Sequence, residues 1–392
     1  MRILTWNVDG LKPVLLRRSE SISKMLEILD ADIICIQETK LSKKDMEELQ
    51  SFALADGWTS FFAFCTFRSG YAGVATFCRT NSALPVAAEE GLAGTVGPQN
   101  DQMAKEGLTR IHSEPSDRFW DRYRREDLEM IDNQGRCVIT DHGAFVLFNC
   151  YGPAVTNITN DRFAFKMQFY EVLEHRLQGV LKAGRPVVVA GDLNIAPYAI
   201  DHCDFVRAPA HIQAGMLRDR PDRAWFRRML HHEGGPLVDL FRHMHPTEQK
   251  AYSVWNMATL ARKRNHGSRV DFLLAGRPDP PTQDSAALSG EEEEPAAGPF
   301  EEMFTDVRIW SAFEGSDHAP VWADLQLPGS LPMGTRPPAL SLANKRTGAG
   351  SGPRQGKITA WMQPQGTPPA KRRKVHSQSD TPPRESLDDI FS

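Results

Sequence analysis

Four tetrapeptides limit what this chain can fold into: Trp6-Asn7-Val8-Asp9, Gln37-Glu38-Thr39-Lys40, Gly191-Asp192-Leu193-Asn194 and Gly315-Ser316-Asp317-His318. Each borders a short apolar run of the length and composition of a buried strand. A single Asp after a strand is uninformative, because it usually caps a turn or a helix. Four such ends, spread over three hundred residues and all carrying acid, amide or imidazole groups, call for a fold that gathers strand ends in one place.

The runs between them alternate in type. Ile22, Met25, Leu26 and Leu29 recur at helical spacing behind Ser19 or Ser21 as cap. Residues 32–36, 71–77, 144–149, 186–190, 270–274 and 320–325 read as strands. Residues 161–181 read as the clearest helix, with Phe165, Phe169, Leu173, Leu177 and Leu181 in steps of four. Short strands mixed with helices predict an α/β layered fold over residues 1–326. Residues 277–299, with Pro-Asp-Pro-Pro and four consecutive glutamates, predict a disordered acidic loop. Residues 327–392, rich in Pro, Gly, Ser, Lys and Arg, predict a disordered tail.

Charge is distributed unevenly. The chain totals -4, but residues 328–392 carry ten Lys/Arg and four Asp/Glu, which leaves -10 on the rest. An acidic body is not a simple electrostatic nucleic-acid binder. Carboxylates gathered around a cation would account for part of that acidity. The six cysteines form no C-x-x-C pair, which argues against a zinc module and a disulfide framework and for a reducing compartment. No long apolar stretch predicts a membrane span or a secretory leader.

Hydrolysis of a phosphodiester needs charge on the non-bridging oxygens, an activated water and a stabilised leaving oxygen. A Mg²⁺ ion on hard oxygen ligands suits that chemistry, with Mn²⁺ as a substitute. Asp9 and Glu38, with Asp317 as a third, are the expected ligands. His318 is the expected acid/base or phosphate contact, and Asp271 the carboxylate that fixes its tautomer. Asp192 and Asn194, two apart after a strand, would share a face if the strand continued, and together could align a water.

With Gly70-Tyr71-Ala72-Gly73-Val74-Ala75, Tyr151-Gly152-Pro153 and Arg269-Val270-Asp271-Phe272 added, these motifs resemble the exonuclease–endonuclease–phosphatase superfamily. They look most like its apurinic/apyrimidinic endonucleases of the exonuclease III type. The resemblance implies a DNase I-like four-layer sandwich of two packed β-sheets flanked by helices. It implies a metal site drawn from Asn7, Asp9, Glu38, Asp192, Asn194, Asp317 and His318. It gives Tyr151, Asp192, Asn194, Asp271 and His318 catalytic roles, and Arg68, Tyr71, Trp255 and Arg269 DNA contacts. The implied substrate is double-stranded DNA with abasic sites or 3′ ends, cleaved by a monomer. Ala154, Val254 and Ser268 depart from the pattern of the major abasic-site enzymes, where Asn, an aromatic and Trp are usual. They resemble a second branch of the family and shift the expected emphasis toward 3′-end processing. A lipid or inositol phosphate phosphatase, or a clamp-bound scaffold without activity, are the alternatives that an activity assay must exclude.

In the tail, residues 355–362 carry Gln355, Ile358, Trp361 and Met362 at the spacing of a peptide that binds the sliding clamp PCNA, an expectation the resemblance strengthens. One helical turn would seat Ile358 and Trp361 in an apolar pocket. Residues 369–375, with Lys371, Arg372, Arg373 and Lys374, resemble an importin-read nuclear signal. A nuclear location is therefore expected.

Overall fold

The computed structural model describes residues 1–48, 54–95, 118–155, 158, 161–218, 220–278, 299–329, 333–338 and 340–341. Its strands are β1 (Arg2–Asn7), β2 (Ile33–Gln37), β3 (Trp58–Ala63), β4 (Val74–Arg79), β5 (Ala87–Glu90), β6 (Cys137–Asp141), β7 (Val146–Tyr151), β8 (Val187–Asp192), β9 (Leu237–Asp239), β10 (Val254–Trp255), β11 (Gly267–Ser268), β12 (Asp271–Gly276), β13 (Phe304–Ile309) and β14 (Val321–Leu325). Two six-stranded sheets form, ordered β13-β14-β1-β2-β4-β3 and β5-β6-β7-β8-β12-β9. Each contains one parallel pair, β1 with β2 and β7 with β8, and is otherwise antiparallel.

Period-two alternation on the central strands builds three apolar layers. Ile3, Ile33, Cys35, Leu147, Val188, Ala190 and Leu273 point between the sheets. Leu4, Trp6, Ile34 and Ile36 point outward, under helices Leu11–Arg18 and Ile22–Leu29. Phe148, Val187, Val189, Phe272 and Leu274 point the other way, under helices Asp161–Lys182 and Pro221–Met229. The result is the expected sandwich of two packed sheets between helices. Ser21 caps the second helix by accepting from the Lys24 amide.

The layer between the sheets changes character along its length. On β1 the inward residues run Ile3, Thr5, Asn7; on β2, Ile33, Cys35, Gln37; on β7, Leu147, Asn149, Tyr151; on β8, Val188, Ala190, Asp192. Antiparallel β12 runs back from Ala275 through Leu273 to Asp271 at the same end. The middle tier consists of satisfied polar groups. Gln37 Nε2 donates to Asn149 Oδ1 at 2.8 Å, Thr5 Oγ1 to Gln37 Oε1 at 3.1 Å, and Asn149 Nδ2 to the Ala75 carbonyl at 2.9 Å. Buried amides without such partners would each cost about 1–3 kcal/mol. The acids therefore lie at the mouth of a sandwich whose interior grades from apolar to polar.

The packed body extends past residue 326, where the composition placed its end. Leu327 and Leu340 pack against the inter-sheet core, Ser341 is buried, and the Gly334 amide donates to the Leu84 carbonyl at 3.1 Å. One leucine in a Pro/Gly-rich stretch is too weak a signal to read from composition. Residues 279–298 of the acidic stretch, and the motifs at 355–362 and 369–375, lie outside the described residues. Among the described residues no helix is long and apolar enough to cross a membrane.

Candidate active site

The site forms where β1, β2 and β8 end and their chains turn sharply. Asp9, Glu38, Lys40 and Asn194 all hold positive φ, between 47° and 52°. Non-glycine residues in that region store about 1–3 kcal/mol each, and tend to cluster where function requires the geometry. Backbone hydrogen bonds hold them there. Gly10 N donates to the Glu38 carbonyl at 2.8 Å, Thr39 N to Gly73 at 2.9 Å, and Leu193 N to Val270 at 2.9 Å. Gly191 is required for this approach. With φ at 149°, a Cβ there would lie 1.9 Å from the Cys150 carbonyl oxygen, so β7 and β8 could not bring Tyr151 level with Asp192.

Asn7 is the hub. Its Nδ2 donates to Glu38 Oε1 at 3.0 Å and to Asp192 Oδ2 at 2.9 Å, tying the two sheets together. Its Oδ1 accepts from the Asp9 amide at 3.0 Å. Asn194 does reach Asp192, with Nδ2 to Oδ2 at 3.1 Å and N to Oδ1 at 2.8 Å. It does so through a left-handed turn rather than a continued strand. His318 Nδ1 pairs with Asp271 Oδ2 at 2.8 Å, and its Nε2 lies 4.0 Å from Asp192 Oδ2. Ser253 Oγ accepts from the amides of Val270 and Asp271, Val254 bridges His318, and Trp255 N donates to the Asp317 carbonyl. This short segment joins the Asp271 and His318 loops.

Electrostatics divide the acids into two groups. Burial pushes Asp192 up to about 7, and Asp271 beside it adds to the push. Burial also favours neutral Glu38, but Lys40 and the Asn7 hydrogen bond outweigh it and hold the carboxyl below its usual range. Lys40 donates to Asp9 and lies 3.0 Å from Glu38 Oε2. Burial raises Asp317, against the pull of His318, and the charges of Asp9 and Glu38 raise it further. Burial works against a protonated His318, yet Asp271 overcomes it and the imidazole keeps its proton well above the ordinary range. The Tyr151 hydroxyl, raised by burial and by Glu38, to which it donates, stays protonated.

Five acids thus face two cations, Lys40 and His318, among the described residues of the cleft. That excess of hard oxygen donors fits a divalent cation. Asp192, Asp271 and His318 also bring ligand atoms within 4.8 Å of one another.

Two expected DNA contacts lie elsewhere. Arg269 is 1% exposed, with Nε 2.8 Å from Asp201 Oδ1 and Nη2 2.7 Å from Asp239 Oδ2, so it braces the interior. Trp255, also 1% exposed, donates to Asn265 Oδ1 at 3.0 Å and packs against Arg262. Arg68 is exposed beside half-buried Tyr71, its guanidinium 5.0 Å from the ring centre. The places of Lys40 and Ser253 in the site carry no signal read from the sequence, although Lys40 lies inside one of the four motifs.

The profile of the Endonuclease/Exonuclease/phosphatase family matches residues 4–318, which takes in the site from Asn7 to His318. The DNA-(apurinic or apyrimidinic site) endonuclease 2 of Mus musculus is 35% identical over 301 residues, covering 71% of this chain and 54% of that protein. The protein of that name from Homo sapiens is 34% identical over 302 residues, with the same coverage. The chain thus spans about half the length of these two curated relatives. Among solved structures, the APE2 catalytic domain of Xenopus laevis matches with a TM-score of 0.71 at 29% identity, over 88% of this chain and 97% of that one. Fold, site and sequence agree, and the chain belongs to the Endonuclease/Exonuclease/phosphatase family.

Proposed function

We propose that this chain is a DNA repair nuclease of the exonuclease III type. It hydrolyses phosphodiesters with Mg²⁺ at 3′ ends and 5′ to abasic sites. The observation that carries the reading is the juxtaposition of Asp192, pushed up to about 7, with the protonated His318–Asp271 pair in one cleft. Asp192 can take a proton from a water near neutral pH, while Asn7 and Asn194 hold its carboxylate in place. His318 presents positive charge to a non-bridging phosphate oxygen, and Asp271 fixes its orientation. Tyr151, kept protonated, is a hydrogen-bond donor for the phosphate or the leaving oxygen. Asp9, Glu38 and Asp317 would hold the divalent ion, which supplies positive charge to the phosphate when bound.

The departures from the abasic-site pattern support an emphasis on 3′ ends. Val254 and Ser268, both buried, pair directly across β10 and β11, and the Val254 backbone bridges that of His318, so both departures lie in the segment that carries the imidazole. The relatives' names support an abasic-site activity as well. From sequence alone, the tail motifs support recruitment by PCNA and import into the nucleus.

The test uses the full chain, Mg²⁺ and labelled duplexes with a recessed 3′ end, a blocked 3′ end or an abasic site, beside an inositol phosphate. Cleavage of the recessed and blocked ends is expected, with weaker incision at the abasic site. Release of phosphate from the inositol phosphate alone would establish the phosphatase reading instead. Ile358→Ala with Trp361→Ala should abolish PCNA binding without altering cleavage of free DNA.

A further inference from the structure

The turn that carries Asp192 and Asn194 is held from behind by the long helix Asp161–Lys182. Lys166 and Tyr170 lie four residues apart on that helix, on one face of it. They reach successive carbonyls of the turn. Lys166 Nζ donates to the Asn194 carbonyl at 2.8 Å, and the Tyr170 hydroxyl donates to the Leu193 carbonyl. Both side chains are buried, Lys166 being 1% exposed. An ammonium at that depth needs a carboxylate, and Lys166 has one in Asp222, whose Oδ2 lies 2.9 Å away. Its other bond, to a neutral carbonyl, is the one that bears on the site.

Asp222 ties this grip to a second loop. Its carboxylate accepts from Arg220 Nε and Nη2 at 3.1 and 3.0 Å, and Arg220 Nη2 also donates to the Val155 carbonyl at 3.1 Å. Burial favours a neutral Asp222, yet Lys166 and Arg220 outweigh it and hold the carboxyl below its usual range. One carboxylate thus connects the segment after Tyr151 to the turn after β8. The two loops touch at Gly152, where a Cβ would lie 2.3 Å from the Tyr170 hydroxyl and 2.7 Å from the Leu193 carbonyl oxygen. On the cleft side, Asn194 Nδ2 donates to the Gly152 carbonyl at 3.0 Å and to Asp192 Oδ2 at 3.1 Å. The left-handed φ of Asn194, 49°, persists only where its surroundings fix it. Release of its carbonyl would let the turn relax and carry the amide away from Asp192.

We propose that Lys166 is a positioning residue for the hydrolytic step. By holding the Asn194 carbonyl, it keeps the Asn194 amide on Asp192 while that carboxylate takes the proton of the attacking water. This rests on reading the cleft as a phosphodiesterase with Asp192 as its base. Lys166 acts through Asn194 and not on the substrate. Its loss therefore slows the bound complex and leaves substrate affinity alone. The ion pair with Asp222 serves stability, so the two roles of the one ammonium can be separated.

The full chain with Mg²⁺ on a recessed 3′ duplex tests this, with urea unfolding measured alongside. Lys166→Met should lower kcat about thirty- to a hundredfold and leave KM within about threefold, the pattern of a misplaced group rather than a lost contact. In an Asn194→Ala background the same substitution should change kcat by less than about threefold, because the group it positions is gone. Lys166 and Asp192 also feel each other's charge, an effect that would survive in that background. Lys166→Met with Asp222→Asn removes both charges of the buried pair. That double variant should be more stable than Lys166→Met alone and keep the low kcat. If Lys166→Met alone does not fold, the double variant takes its place in the comparison with Asn194→Ala. Equal kcat factors with and without Asn194, or kcat recovering together with stability, would refute the positioning role. A parent chain inactive on every duplex would overturn the nuclease reading itself, an outcome seen without any variant.

Discussion

Asp271→Asn isolates the pair on which the proposed chemistry depends. Asp271 has a fully buried side chain, and its Oδ2 lies 2.8 Å from His318 Nδ1, itself 8% exposed. The amide keeps the shape and removes the charge, leaving a buried imidazolium without its partner. Breaking a buried pair in this way costs about 3–5 kcal/mol of stability while the other group stays charged. The sign of the pH dependence follows from His318, whose folded proton affinity is raised. That stabilisation is fully present below the unfolded histidine value, about 6.5, and is lost as pH rises through the raised folded value. Urea unfolding of the two proteins should therefore differ most at pH 6 and converge in alkaline solution. If the pair also orients His318 toward phosphate, kcat/KM on a recessed 3′ end should fall by about two to three and a half powers of ten, the same energy at 1.4 kcal/mol per tenfold. A stability gap that is flat with pH, or cleavage within threefold of the parent, would refute this reasoning.

Asp192→Asn should abolish cleavage and yet stabilise the metal-free protein by about 1–2 kcal/mol above pH 7, since it removes a carboxylate whose charged form burial penalises. The raised value means that the stability Asp192 provides is present below about pH 4, falls as pH rises from there, and is gone above about 7. Urea midpoints of parent and variant should therefore coincide near pH 4. Lys40→Met removes the ammonium that sits between Asp9 and Glu38, so titration calorimetry should show Mg²⁺ binding two- to fivefold tighter, the range of a partly exposed pair. Unchanged or weaker binding would show that Lys40 does not compete for those oxygens. Gly191→Ala forces β7 from β8 and should cost about 3 kcal/mol or more on denaturation, together with about a hundredfold in kcat, because it displaces Tyr151 and Asp192 relative to each other. Arg269→Met should cost about 3–5 kcal/mol through Asp239, which it leaves buried without its cation while Asp201 keeps Arg242, with no change in the salt dependence of DNA binding.

What could be read from the sequence was whatever depends on local pattern. Apolar runs ending near Asn7, Glu38 and Asp192 marked strand ends, but runs such as Ile33-Ile34-Cys35-Ile36 and Val187-Val188-Val189-Ala190 are apolar throughout and carry no alternation that tells which side chains face the second sheet. The Asp271–His318 pairing was also legible, because an imidazole among acids needs one carboxylate to fix it. Arg269 and Trp255 were misplaced for the opposite reason. Their neighbours in sequence line the cleft, but their own side chains are claimed by Asp201, Asp239 and Asn265, and no local signal reports partners that distant. Arg136 belongs to the same class, since nothing in Gly135-Arg136-Cys137 foretells a guanidinium lodged between two tyrosines.

The left-handed residues explain why the gradient between the sheets has to exist. Asp9, Glu38, Lys40 and Asn194 together store several kcal/mol of backbone strain at one end of the sandwich. Only a rigid support can hold such turns. The Thr5–Gln37–Asn149 tier supplies it directly beneath them, cross-linking β1 and β2 of one sheet to β7 of the other through side-chain hydrogen bonds that apolar residues could not make. Substituting Asn149 by Leu would keep the volume and orphan Gln37. The expected result is a protein still folded by its apolar layers and weakened by about 1–3 kcal/mol, but with a disproportionate loss of kcat, because the turns above lose their fixed base. Equal proportional losses in stability and in kcat would mean that the tier serves the fold alone.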